Sequence, residues 1–107
     1  MVSAIDYVLN PLLLARYSRA LKYFPSDNFN FQWLYHGSSI DKLHNICLKG
    51  FYKPGQVSYE SYTRNKGYYG YGCYFSNNAN YAYHYYADQR SNQILLCRTI
   101  CGKTRTV

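Results

Sequence analysis

The residues with the best claim to chemistry lie in one short stretch, Leu34-Tyr35-His36-Gly37-Ser38-Ser39, where an apolar run ends in a histidine, a glycine and two hydroxyls. Upstream, Phe31, Trp33 and Tyr35 alternate with Gln32 and Leu34 as in a strand; downstream, Ile40, Leu43 and Ile46 or Cys47 recur at helical spacing. His36 therefore falls at a strand end. Gly37 allows a sharp turn and leaves its backbone N–H and C=O open to close approach, while Ser38 or Ser39 can cap the following helix. A strand end, a glycine and a helix start together can hold a polar ligand. A single histidine beside a turn glycine is nonetheless more often a packed or solvated residue, so the stretch alone names no ligand.

The other reactive side chains offer less. Cys47, Cys73, Cys97 and Cys101 form no disulfide framework. Cys97 and Cys101 share a predicted strand, where residues four apart are separated by about 13 Å, too far to bond. No Cys-x-x-Cys or His-x-x-x-His pair supplies a zinc set, so buried free thiols and no metal are expected. The formal charge of +7 favours an anionic partner such as a nucleotide, a nucleic acid or an acidic protein. Met1-Val2-Ser3-Ala4 lacks the pattern of a signal peptide, and Arg16 breaks the apolar run Leu12-Leu13-Leu14-Ala15. The reading is an intracellular protein, nuclear or cytoplasmic, with no membrane partner.

Several elements must position these groups. Asn10 is a good N-cap and Pro11 a tolerated first helical residue, so a lead-in helix runs from about 10 to 24 with Leu13, Tyr17, Ala20 and Leu21 on its inner face. Arg16, Arg19 and Lys22 fall mostly opposite, more often a solvated face than a nucleic-acid stripe. Pro25-Ser26-Asp27-Asn28 ends it. A strand over 29–36 and a helix over 40–48 follow, with Gly50 as its C-terminal cap. Residues 51–67 show no period and read as a long loop.

In Tyr68-Tyr69-Gly70-Tyr71-Gly72-Cys73-Tyr74-Phe75-Ser76, two glycines before a short apolar run suggest a bend with close backbone approach. Ser76, Asn77 or Asn78 can cap a short helix in which Ala79, Ala82, Tyr83 and Tyr86 share one face and Tyr81 and Tyr85 another. The apolar run from Ile94 to Cys101 reads as a strand buried on both faces. Of the 15 tyrosines, eleven fall between Tyr52 and Tyr86. Interleaved with Lys53, Arg64, Lys66 and Arg90, they form either a stacking surface for single-stranded nucleic acid or an ordinary aromatic core.

Taken in order, these pieces resemble the catalytic domain of the poly(ADP-ribose) polymerase family, the diphtheria-toxin-like ADP-ribosyltransferases. Leu34-Tyr35-His36-Gly37-Ser38 resembles the first motif, and Ile46-Cys47-Leu48-Lys49-Gly50-Phe51 the segment that closes its helix. Tyr69-Gly70-Tyr71-Gly72-Cys73-Tyr74-Phe75-Ser76 is similar to the second motif, and Ile94 to Gly102 to the strand that ends in glycine. Asn10-Pro11-Leu12-Leu13 followed by Tyr17 is similar to the lead-in helix of mono-ADP-ribosylating members.

The resemblance implies an α+β fold, an ADP-ribosyltransferase-like mixed sheet with flanking helices and a core over about 29–103. It implies NAD as substrate, no metal, a protein acceptor, and displacement of nicotinamide through an oxocarbenium-like transition state. His36 and Tyr74 would be the catalytic pair. His36 would hydrogen-bond the adenosine ribose and Gly37 the nicotinamide carboxamide. Tyr74 and Tyr85 would sandwich the nicotinamide ring, and Ser38, Phe75 and Ala82 would complete the cofactor-binding set.

The chain departs from the family's pattern in three places. Ala82 stands where a serine usually bonds the carboxamide, and Tyr71 stands between the two glycines. The glutamate of the family's His-Tyr-Glu set lies on a later strand, whereas the only glutamate here, Glu60, precedes the second motif. By this reading residues 1–107 are a partial catalytic domain, incomplete at its C-terminus, with an unpaired sheet edge open to association. The competing reading is a non-catalytic module that binds ADP-ribose, RNA or a protein partner.

Overall fold

A computed structural model describes residues 2, 4–24, 30–51, 72–85, 92–102 and 106, the side chains of Asn30 and Tyr85 excepted. Its elements are α1 (Pro11–Leu21), β1 (Asn30–His36), α2 (Ile40–Lys49), α3 (Ala79–Tyr85) and β2 (Leu95–Cys101). The arrangement is α+β, as expected. The long loop beyond Phe51, the first part of the second motif and the basic residues Lys53, Arg64, Lys66 and Arg90 lie outside the described residues.

The lead-in helix starts where its capping residue requires. Asn10 has extended backbone, and its Oδ1 accepts from the Leu13 N–H at 3.2 Å, with Pro11 in the first turn. Leu13, Tyr17, Ala20 and Leu21 are half-buried, the face expected from their spacing, whereas Leu12 and Leu14 point outward. No residue of α1 is fully buried.

β1 and β2 pair antiparallel from Asn30↔Cys101 to His36↔Leu95. Opposite residues share a face, so Leu34, His36, Leu95 and Cys97 line one side, and Phe31, Trp33, Tyr35, Leu96, Arg98 and Ile100 the other. The first side faces α2: the thiol of Cys47 on that helix is close enough to Cys97 to disfavour its ionisation. The second side is more open, with Trp33 and Leu96 both more than half exposed. Burial of β2 on both faces is therefore corrected. The strand alternates, because an antiparallel pair can keep one face in water while its apolar groups cover one another. On that open face the Arg98 guanidinium carbon sits 4.5 Å from the Phe31 ring centre and 5.8 Å from that of Tyr17.

At its far end β1 is flanked on both edges. Tyr35 and Ser76 exchange two backbone hydrogen bonds, Tyr35 N–H to Ser76 C=O at 2.7 Å and Ser76 N–H to Tyr35 C=O at 2.9 Å. Pairing is antiparallel throughout the described residues, where the outer edge of β2 has no strand partner.

α2 carries Asp41 in its first turn and Lys49 in its last, both favourable to the helix dipole. Ser39 is its N-cap residue. Gly50 closes the helix at φ 84°, a left-handed conformation that favours glycine, and donates its N–H to the Ile46 carbonyl at 2.7 Å. A Cβ there would also press on Leu13 Cδ2 at 3.2 Å, so α1 crosses close to the end of α2. α3 is capped by Asn78, whose Oδ1 accepts from the Tyr81 N–H at 3.1 Å, while Ser76 Oγ accepts from the Asn78 N–H at 3.0 Å.

Leu43 and Ala82 are the buried apolar residues among those described. On the face of α3 that Ala82 and Tyr83 share, Ala82 is fully buried and Tyr83 exposed. Alanine lets the helix backbone lie close to β1, with which α3 is in contact, and a large ring at the next position is then left outside. No described helix is long and apolar enough to cross a membrane.

Candidate ligand site at the first strand end

Two stretches some forty residues apart meet where β1 ends. The Tyr35–Ser76 bridge draws the second motif alongside the first, and His36 then reaches across: its Nδ1 lies 2.8 Å from the Tyr74 carbonyl oxygen. A carbonyl can only accept, so Nδ1 carries the hydrogen and donates it. In the neutral ring Nε2 then carries a lone pair and can accept a hydrogen bond.

Burial pushes the His36 pKa below its ordinary value of 6.5, an effect that outweighs the opposing contribution of the Tyr74 hydrogen bond. The imidazole is therefore neutral at pH 7, a donor at one nitrogen and an acceptor at the other. Its surroundings are aromatic. Phe51 meets the ring edge-on at 4.9 Å and 89°, Phe75 lies 5.3 Å away at 49°, and the two phenyl rings are themselves 5.3 Å apart.

The remaining candidates distribute unevenly around this point. Gly37, next to His36, is buried. Among the described residues no hydrogen bond takes up its N–H or C=O. Ser38 is half-buried. Helix capping falls to Ser39, which holds the position through its backbone without a side-chain bond. Tyr74 is half-buried and contributes its carbonyl to His36. Phe75 is on the histidine itself. Ala82 has no exposed surface and meets the core. The ring of Tyr85 lies outside the described side chains, although its backbone closes α3.

Phe51 is the neighbour that sequence reasoning assigned no role. The available signal was its place directly after the Gly50 cap, which turns the chain sharply enough to return a side chain toward the preceding strand end. At Gly72 a Cβ would meet nothing within 4 Å among the described residues.

The cysteines do not join the site. None of the four forms a disulfide; Cys73 is exposed and the others half-buried, so burial is shallower than expected. Burial, reinforced by the neighbouring Cys47 thiol, pushes Cys97 up to about 11, which leaves it almost entirely protonated at neutral pH. No group of three or more metal-ligating side chains occurs among the described residues.

The model of one protein family, described as poly(ADP-ribose) polymerase catalytic domain, matches residues 1–107. No curated protein and no solved structure shows significant similarity to the chain.

Proposed function

Because the chain belongs to the poly(ADP-ribose) polymerase catalytic domain family, whose members transfer ADP-ribose from NAD, we propose that it binds NAD at the end of β1 and passes ADP-ribose to a protein acceptor. The glycosidic bond between the nicotinamide nitrogen and the ribose C1′ breaks, nicotinamide leaves as a neutral molecule, and an acceptor nucleophile bonds to C1′ and loses its proton. Positive charge gathers on the ribose as the bond stretches, so the protein's task is mainly to hold the two halves of NAD in place.

The observation that carries this reading is the fixed, neutral His36, whose Nδ1–H is committed to the Tyr74 carbonyl. Its Nε2 is then an acceptor for a hydroxyl of the adenosine ribose. Gly37 supplies an N–H and a C=O to the nicotinamide carboxamide, with Ser38 beside it. The rings of Tyr74 and Tyr85 enclose the nicotinamide, a flat heterocycle suited to aromatic faces. Ala82 leaves the carboxamide without a hydroxyl partner from α3, a loss of about 1 kcal/mol in ligand binding.

Nicotinamide release and covalent self-modification by the purified chain, measured beside His36→Ala and Tyr74→Ala, test the proposal. Tyr74→Ala removes the ring and keeps the carbonyl, so it separates stacking from the support given to His36. Both variants are expected to lose activity by about tenfold or more. A chain that neither binds nor turns over NAD, yet binds RNA with a steep salt dependence, would overturn the reading in favour of a binding module.

A further inference from the structure

We propose that Phe51 is a positioning residue, which together with Phe75 clamps the imidazole of His36 so that Nδ1–H stays on the Tyr74 carbonyl and Nε2 faces a hydroxyl of bound NAD. This deepens the function proposed above and rests on it for the identity of the ligand.

The three rings close on one another, with centroid separations of 4.9, 5.3 and 5.3 Å. Edge-to-face and tilted arrangements at these distances are the favourable ones for aromatic pairs. The imidazole therefore touches both phenyl rings, while its Nδ1 is held at 2.8 Å from a carbonyl. Rotation of the imidazole about its Cβ–Cγ bond would disturb both ring contacts and break that hydrogen bond together. An imidazole without such walls can turn over and exchange its two nitrogens, presenting a donor where the ligand needs an acceptor.

The route by which Phe51 arrives gives the clamp its register. Gly50, at φ 84°, ends α2 and redirects the chain, so the first side chain beyond the helix comes back to the strand end from which the helix departed. Phe75 arrives from the other direction, between Tyr74, whose carbonyl receives the histidine, and Ser76, which is paired to Tyr35. The clamp thus spans the first motif, the residue that follows its helix, and the second motif.

A purely structural role for Phe51 would lower stability on substitution without changing which imidazole nitrogen carries hydrogen. The test is nitrogen-15 NMR of the His36 side chain above its pKa, with NAD titration, on the wild type, Phe51→Met and Phe51→Tyr. Methionine keeps the apolar volume and loses the ring. The expected result is a dominant Nδ1–H form in the wild type, a mixture of both forms in Phe51→Met with NAD affinity lowered about three- to tenfold, and recovery of both properties in Phe51→Tyr. Should Phe51→Met fail to fold, Phe75→Met gives the same two readouts on the adjoining wall. The proposal is overturned if the methionine variant keeps the Nδ1–H form, or if its tautomers mix while NAD affinity is unchanged. A wild type that holds the Nδ1–H form without binding NAD overturns the ligand and the function proposed for this site, whereas the tautomer readout still decides the clamp.

Discussion

α1 and the strand-end site are attached to the same helix, α2, by opposite kinds of force. α1 buries no residue completely. It is tied down by polar side chains instead: Asn10 Nδ2 donates to the carbonyls of Cys47 and Leu48 at 2.9 and 3.0 Å, and Arg16 Nη1 to that of Lys49 at 3.2 Å. These carbonyls belong to the last turn of α2, where the helix has no internal donors to offer and its dipole is negative. The site end of the molecule is held by burial, through Leu43 and Ala82, by the exchanged Tyr35–Ser76 bonds and by the ring cluster around His36. A latch of hydrogen bonds can open without disturbing the histidine, whereas loss of buried volume cannot be so confined.

Three perturbations sharpen or break this contrast. Leu43→Ala is expected to have the largest effect, about 2–5 kcal/mol of stability by denaturant unfolding, with weakened NAD binding because α2 no longer seats against its neighbours. Asn10→Ala removes a helix cap and two donors at once and should cost about 1–2 kcal/mol, leaving the NMR signals of His36 in place. If Asn10→Ala proves the more damaging of the two, or displaces His36, the division between latch and core is wrong.

The smallest effect concerns pH. Because the folded His36 pKa is lowered from 6.5, the unfolded chain takes up a proton in the window below that value which the folded chain resists. Stability is complete above the window and declines as pH falls through it. Urea midpoints at about pH 7.5 and about pH 5.5 should show this decline in the wild type and a shallower one in His36→Gln. Equal slopes would mean that the imidazole is not desolvated in the folded state.

Much of the fold was legible in short-range pattern. Asn10-Pro11 marked the start of α1, and the spacing of Leu13, Tyr17, Ala20 and Leu21 identified its inner face, since capping and helical periodicity are local properties. Gly50 was legible as a cap for the same reason. The apolar run before Cys101 misled because hydrophobicity along a strand does not state how many faces are covered. Leu96 and Arg98 lie on a face where Trp33 is also open to solvent. Periodicity likewise put Ala82 and Tyr83 on one face of α3 without stating how much of that face is covered: Ala82 is buried and Tyr83 exposed.

For the site, sequence by itself determined the residue types, their order and the family to which they belong: a histidine at a strand end, a glycine after it, and a second motif with Tyr74, Phe75 and Ser76. Only tertiary structure decided what these residues are to one another. The Tyr74 main chain, and not any property of its side chain, selects the nitrogen of His36 that bears hydrogen, and Phe51 enters as a wall of the same cluster. The physical reason is that a backbone carbonyl is present at every residue and so leaves no mark in the sequence. Its partner is chosen only when strand pairing brings two distant segments within hydrogen-bonding distance.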